Sequence, residues 1–275
     1  MGERVKDLAI VLTIFDGYED LWDDCIKRIE VFWKDHPPIY VFTNELKREW
    51  NGVKCIPVGK NAEWSMKAQN AIEVIPEKYL ILLLEDFYIG KKVKNYEIER
   101  VLHFMQEQRI SYCKLCENNE VIHRSKKKFH AGFPFEVIYK DEEYGVSLQA
   151  SLWNKDYLAE LLGDGNYNAW VFELNQLKKT KGEPHSILCN AIDDPRNILN
   201  IYHGALQGKM VPKTVKYFER IGMKLTTKRA TMSQLEYFRY WIKQLGRDIV
   251  PLFMQKKVKR MAQKFGMTFV DSKWS

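Results

Sequence analysis

The chain has 275 residues, 45% of them hydrophobic and 29% charged, with a formal net charge of +7. About 75% of the unfolded surface can be buried at that length, and the balance of residue types excludes disorder over most of the chain. Purely apolar runs are short, the five residues Leu80–Leu84 being an example. A membrane-spanning helix needs about 20 apolar residues, so none is predicted. The N-terminus lacks a small-residue cleavage site, and a signal peptide is not expected. Charge is unevenly placed. Residues 211–275 carry 15 Lys/Arg against 4 Asp/Glu, and the preceding 210 carry 28 against 32.

The elements alternate in kind along the chain. Leu8–Ile14 is a continuous apolar run, as in a parallel strand buried on both faces. Asp16 can cap the helix that follows, with Glu19 completing a capping box. Trp22, Cys25, Ile26, Ile29, Phe32 and Trp33 recur there at helical spacing, and Pro37–Pro38 close the segment. Strands are predicted at 39–43 and 53–58, and Ser65 can cap a helix whose stripe is Ala68, Ala71, Ile72 and Ile75. Next come a buried strand at 79–84, a helix over 95–108 and a strand at 110–115.

Residues 117–143 are irregular and polar. A strand or hairpin arm is predicted at 144–153, then a helix capped by Asn154 to Leu162, a Gly-Asp-Gly-Asn loop, and a helix over 169–177. The alternation predicts an α/β fold with a mixed, mostly parallel, Rossmann-like sheet flanked by helices. The organisation read from it is a domain over residues 1–211 and a basic, mainly helical extension over 212–275.

The five cysteines, Cys25, Cys55, Cys113, Cys116 and Cys189, are odd in number and thinly spread. They read as reduced thiols of a cytosolic protein. Cys113 and Cys116 form a C-x-x-C pair with no second close Cys/His pair, so they read as buried thiols rather than a zinc site.

In open α/β sheets, ligands bind beyond the carboxyl ends of the strands. Phe15-Asp16-Gly17-Tyr18, Thr43-Asn44-Glu45 and Glu85-Asp86 follow the first, second and fourth predicted strands. Packing explains a carboxylate pair leaving a buried strand poorly. Oxygen ligands of this kind hold Mg²⁺ or Mn²⁺ and, through it, a diphosphate. No G-x-G-x-x-G follows the first strand, and no P-loop or G-x-S-x-G is present. Nicotinamide, P-loop and hydrolase chemistries are excluded on that ground.

The order of D-G-Y-E-D, V-F-T-N, W-S-M-K-A-Q-N-A-I-E-V-I and Y-L-I-L-L-L-E-D-F-Y resembles the nucleotide-sugar half of GT-A-fold glycosyltransferases. Y-G-V-S-L-Q-A-S-L-W, N-A-W-V-F-E and G-A-L-Q-G-K are similar to blocks of a bacterial polysaccharide-biosynthesis group of that fold. The resemblance covers about residues 8–209. It implies transfer of a sugar, with inversion, from a UDP-linked donor to a surface-glycan acceptor.

It further implies a set of residue roles. Asp86 and Glu85, with a late histidine, His203, would hold the metal, Mn²⁺ or Mg²⁺. Asp16 and Glu45 would meet base and ribose, Ser65 and Lys67 would approach the nucleotide, and Gln149 would line the site. Lys209 would meet the leaving diphosphate, and Glu173, one turn after Trp170, would be the general base. A carboxylate among aromatic groups tends towards a raised pKa, which suits proton abstraction. Phe87 stands where the family usually has a further carboxylate. That departure leaves the metal requirement open, and with it a second expectation: a non-catalytic nucleotide- or glycan-binding protein on the same fold.

The basic tail, with Tyr237, Phe238, Trp241, Leu252, Phe253 and Phe265 interleaved, suits an anionic membrane surface, or packing on the body. The location expected is cytoplasmic, peripheral on the inner face of the cell membrane. No nucleic-acid-binding motif is visible, so nucleic acid is not an expected partner.

Overall fold

The computed structural model describes residues 5–116, 134–140, 145–179 and 187–240. Described residues up to Thr231 form one compact unit, and those from Met232 onward belong to a second. The division expected at residue 211 falls inside the first unit, because the helix at 212–220 buries Phe218 completely.

The chain runs β1 (Leu8–Thr13), a 3₁₀ turn (Asp16–Tyr18), α1 (Glu19–Phe32), β2 (Ile39–Thr43), β3 (Val53–Pro57), α2 (Trp64–Val74) and β4 (Tyr79–Leu83). It continues through β5 (Phe87–Ile89), α3 (Asn95–Gln108), β6 (Tyr112–Lys114), β7 (Glu136–Tyr139), β8 (Ser151–Asn154), α4 (Lys155–Leu162) and α5 (Ala169–Lys179). Last come β9 (Ile187–Asp193), β10 (Ile201–His203), β11 (Ala205–Leu206), β12 (Lys209–Met210) and α6 (Pro212–Arg220).

Eight strands form one sheet in the order β3-β2-β1-β4-β8-β6-β9-β7. Strands β3, β2, β1 and β4 are mutually parallel; β8 is antiparallel to both β4 and β6, and β6 is parallel to β9. The fold is thus the mixed, mostly parallel α/β sheet with flanking helices that the alternation predicts. Strand β1 shows why its run is apolar throughout. Leu8, Ile10 and Leu12 enter a core with α1, α3 and α6, while Ala9 and Val11 enter a second core with α2, α4 and α5. A side-chain period of two sends alternate residues to opposite faces, so both sets must be apolar. Each fully buried Val, Leu or Ile contributes about 1.5–3 kcal/mol.

Helix α1 also buries charge. Arg28 donates to the Asp24 carboxylate (2.7 Å), to the Asp24 carbonyl (2.6 Å) and to the Met223 carbonyl (3.0 Å). Its guanidinium lies 4.3 Å from the centre of the Phe218 ring and 5.0 Å from that of Tyr88. The other Asp24 oxygen accepts from the Thr226 N–H and hydroxyl. These further hydrogen bonds offset much of the cost of burying the pair, although Arg28 Nε itself has no hydrogen-bond partner among the described residues.

Two local expectations are corrected. Asp16 does not cap α1; the helix starts at Glu19 with Tyr18 before it and no side-chain cap. Ser65 does not cap α2; Glu63 holds that place, and Ser65 is the second helical residue. Tyr144 of the strand predicted over 144–153 lies outside the described residues; among the described ones the strand is shorter and runs from Ser151 to Asn154. Residues just before it hydrogen-bond to side chains instead: the Ser151 hydroxyl donates to the Gln149 carbonyl at 2.6 Å. Asn154 does cap α4, accepting from the Tyr157 N–H. Cys113 and Cys116 are buried free thiols; burial raises both, Cys116 to about 12.

Candidate functional site

The sheet reverses its winding between β1 and β4, since β2 and β3 lie to one side of β1 and β4 lies to the other. Such a switch point opens a crevice at the carboxyl ends. Three loops converge there. After β1, Phe15 is 53% exposed, an aromatic ring presented to solvent at the crevice. The Asp16 carboxylate then reaches across to the loop after β2, accepting from the N–H groups of Asn44 (2.9 Å), Glu45 (2.8 Å) and Leu46 (2.9 Å). Asp16 therefore shapes the β2 loop, while the Glu45 side chain itself is exposed.

Asn44 knits the wall together. Its amide donates to the Ala62 carbonyl at 2.7 Å, and its side-chain oxygen accepts from Lys67 Nζ at 2.9 Å. Lys67 Nζ also donates to the Ile14 carbonyl at 2.6 Å. Desolvation holds the Lys67 ammonium below its usual pKa, partly offset by Glu85, Asp16 and Glu63. The chain thus keeps a buried cation beside the carboxylates of the crevice floor. Ser65, by contrast, is fully buried; its hydroxyl donates to the Gly165 carbonyl (2.9 Å) and accepts from the Tyr167 N–H (2.8 Å). Both its hydrogen-bonding directions staple the Gly163–Tyr167 loop to α2, which corrects its expected approach to a nucleotide.

Glu85 and Asp86 occupy the two central positions of a turn closed by the Phe87 N–H to the Leu84 carbonyl, at 3.1 Å. The buried Cys25 thiol supports the turn from below, donating to the carbonyls of Leu84 and Phe87. Desolvation pushes Glu85 up to about 8, with the neighbouring Asp86 charge adding to it. Desolvation also pushes Asp86 up to about 7, while the Ala205 N–H works in the opposite direction. The Gly204 N–H donates to the Asp86 carbonyl at 2.6 Å. A Cβ on Gly204 would come within 2.7 Å of the Tyr88 ring, so only glycine permits this approach.

Phe87 explains the departure from the acidic motif. It is buried on β5, paired in register with His203 of β10, and its ring meets the His203 ring edge-on at 5.0 Å. Burial lowers His203 to about 4, which keeps its ring neutral at pH 7. Among the described residues no group of three His, Cys, Asp or Glu is placed to hold a metal ion. The expected trio of Glu85, Asp86 and His203 is therefore corrected to a carboxylate pair, because the imidazole packs against Phe87. That pair still suits a Mg²⁺-type ion, which commonly takes one or two carboxylates and fills its shell from phosphates and water.

A second group sits along the same edge. Ser151 pairs with Leu82 of β4 and Lys114 of β6, so residues 145–150 lie beyond the carboxyl ends of those strands. Gln149 is half-buried there in irregular backbone rather than in a strand, within 3.9 Å of the Cys116 thiol. Glu173 on α5 accepts from the Leu148 N–H at 2.9 Å, so Gln149 and Glu173 belong to one group. Lys209 lies on the β11–β12 hairpin, which begins at Ala205, the residue whose N–H meets the Asp86 carboxylate. Sequence reasoning missed Asn44 as the link between Asp16 and Lys67, and Cys25 and Gly204 as supports of the acidic turn. Their partners are at least 15 residues away, and Gly204 and Asp86 are more than a hundred positions apart, beyond any local pattern.

The raised acids have a measurable consequence. Folded Glu85 and Asp86 hold protons at pH values where the unfolded chain has released them, above about 4. Stability they allow below that pH is lost as the pH rises towards 7–8, where both must ionise in the crevice. The melting temperature of the ligand-free chain is expected to fall across that window, and Glu85→Gln with Asp86→Asn to flatten the profile. Identical profiles for wild type and variant would exclude this origin.

The fold and crevice define the class: a Rossmann-like α/β protein with an acidic turn at its switch point. No protein-family model matches the chain, and no curated protein sequence matches it. Among solved structures it is similar to S. aureus TarS 1-349 in complex with UDP, with 9% identity and a TM-score of 0.46 over 91% of this chain and 77% of that one. Another structure of S. aureus TarS 1-349 gives 8% identity and a TM-score of 0.44 over 68% of this chain, which spans 57% of that one. CMP:2-keto-3-deoxy-manno-octonic acid synthetase complexed with CTP gives 13% and 0.43, over 78% of this chain and 98% of that one. At such identities the likeness concerns the fold, and no residue's role is carried over from it.

Proposed function

We propose that the chain is a glycosyltransferase that moves a sugar from a UDP-linked donor to a bacterial surface glycan. The observation that carries this reading is the acidic turn Glu85–Asp86, set at the switch point beside the Asp16–Asn44–Lys67 network. Exposed Phe15 and the loop shaped by Asp16 offer the base a ring face and backbone groups, with Glu45 beside the ribose. Glu85 and Asp86 would hold Mn²⁺ or Mg²⁺, which supplies positive charge to the diphosphate. Lys209 adds a cation on the same side.

Glu173, with Gln149 beside it, faces the acceptor. An acceptor hydroxyl attacks the anomeric carbon, its proton passes to Glu173, and the bond to the diphosphate oxygen breaks, so one displacement inverts the centre. A thermal-shift series with UDP and UDP-sugars, with and without Mn²⁺, tests the reading. A ligand at about 100 times its dissociation constant stabilises by roughly 2.7 kcal/mol. No shift with any uridine nucleotide would remove the proposal. The buried Phe87 favours one other reading, a nucleotide- or glycan-binding protein without turnover. That protein would show the shift but release no UDP from any donor.

The proposal extends to peripheral contact with an anionic membrane, beside a lipid-linked acceptor, through the basic tail. No helix of the described residues is long and apolar enough to cross a membrane. Most of the tail lies outside the described residues; within them, 234–240 is helical, with Leu235 57% and Phe238 54% exposed. Near an anionic leaflet each Lys or Arg contributes on the order of 1 kcal/mol. Co-sedimentation with anionic vesicles is expected, weakening with salt and lost on truncation after Ala230. Equal recovery in the supernatant with neutral and anionic vesicles would exclude it.

A further inference from the structure

Residues 223–231 run as a strap back over the N-terminal turns of α1. The strap is pinned at one end by the buried pair, with Thr226 on Asp24 and the Met223 carbonyl on Arg28. At the other end the Met210 N–H of β12 donates to the Ala230 carbonyl at 2.9 Å. Asp20 and Asp24 are one helical turn apart on α1 and each takes a threonine of the strap, Thr227 and Thr226 respectively.

Arg229 lies between these pins, and its guanidinium joins two loops that are far apart in sequence. It donates to both Asp20 carboxylate oxygens, at 2.7–3.0 Å. It donates to the Gly17 carbonyl at 3.0 Å and to the Gly208 carbonyl at 3.4 Å. It also lies 4.1 Å over the Tyr18 ring. Gly17 and Tyr18 follow Asp16 directly in the turn after β1. Gln207 and Gly208 form the tight β11–β12 turn, both with positive φ (51° and 77°), immediately before Lys209. A planar guanidinium can serve a bidentate carboxylate, two carbonyls and a ring at once, which an ammonium cannot.

We propose that Arg229 is a positioning residue that sets both lips of the crevice, the Asp16 turn and the Lys209 hairpin, and so controls nucleotide binding without touching the ligand. Asp16 in turn holds the N–H groups of residues 44–46, so the constraint passes from the strap to the loop after β2. The Asp20 carboxyl is held below its usual range mainly by Arg229, in keeping with the bidentate contact. Only the nucleotide arm of the test rests on the glycosyltransferase reading.

The experiment compares wild type with Arg229→Lys and Asp20→Asn. Amide hydrogen exchange is measured on the ligand-free chains, and UDP dissociation constants are measured separately. Exchange is expected to accelerate at least about tenfold at Asn44, Glu45, Leu46 and Met210, while β1 and β4 keep their protection. Loss of protection in the strands as well would mark Arg229 as a general stabiliser and overturn the proposal. Unchanged exchange at residues 44–46 would overturn it too. In the nucleotide arm the UDP dissociation constant is expected to rise about tenfold in Arg229→Lys, with donor KM rising alongside and kcat within about threefold. Unchanged UDP affinity in a variant with accelerated exchange would refute control of binding. Should wild type bind no UDP, the glycosyltransferase reading falls, and the exchange data still decide whether Arg229 positions the two lips.

Discussion

Asp86→Ala is expected to abolish sugar transfer while the chain keeps its circular-dichroism spectrum and a cooperative melt. The turn that carries Asp86 does not depend on the carboxylate. The Phe87 N–H closes it, and the Gly204 N–H holds the Asp86 carbonyl, which alanine retains. The carboxylate's hydrogen bonds from its own N–H and from the Ala205 N–H are lost. Against that loss, the variant removes a desolvated acid beside Glu85, whose own pKa the Asp86 charge raises. Stability near pH 7 should therefore hold or rise, and the loss of activity belongs to chemistry rather than unfolding. Wild-type transfer rates in a folded Asp86→Ala chain would end the diphosphate role of the acidic turn. A weak response of wild type to added Mn²⁺ would not, since Phe87 already replaces one acidic position.

Glu173→Gln is expected to lower turnover by about a hundredfold or more, the usual loss when a general base is removed. Donor affinity should change little. The substitution separates two roles of this side chain. Its Oε1 accepts from the Leu148 N–H at 2.9 Å, and the amide oxygen of glutamine can make the same bond. The 145–150 segment therefore keeps this support, while the capacity to take up a proton is lost. Alanine would remove both, leaving a backbone N–H without its acceptor, and would confuse loop placement with catalysis. Single-turnover rates with saturating donor provide the measurement. Turnover within a few-fold of wild type would leave Glu173 as a brace for that segment.

Much of the fold was legible locally. The apolar run at 8–14 became β1 because a strand buried on both faces has no polar side to mark. Helix α3 has the predicted bounds, Asn95–Gln108, since its apolar stripe stops where Arg109 adopts a left-handed conformation. Asn154 caps α4 because a side-chain cap needs only a partner three residues away. The edge of the sheet where polar loops emerge also followed from local reading: polar residues after buried strands of a parallel sheet mark its carboxyl edge.

Residues with more than one available partner were decided by the tertiary structure. Asp16 and Ser65 both suit a helix start. Each instead satisfies groups brought near by the sheet, Asp16 at residues 44–46 and Ser65 at 165 and 167. Three backbone N–H groups converge on the Asp16 carboxylate, and the Ser65 hydroxyl both donates and accepts, so each long-range set offers more hydrogen bonds than one helix end would. Phe87 reads as a flaw in an acidic motif until β10 brings His203 against it. Arg229 reads as one cation in a basic tail until the strap brings it to Asp20, 209 positions away. Periodicity thus determined β1–β4, α1–α3 and β6, and the sheet edge at which polar loops emerge; β5, β7 and β9–β12 were not predicted. Which side chains shape that crevice depended on hydrogen-bond partners that only chain closure brings together.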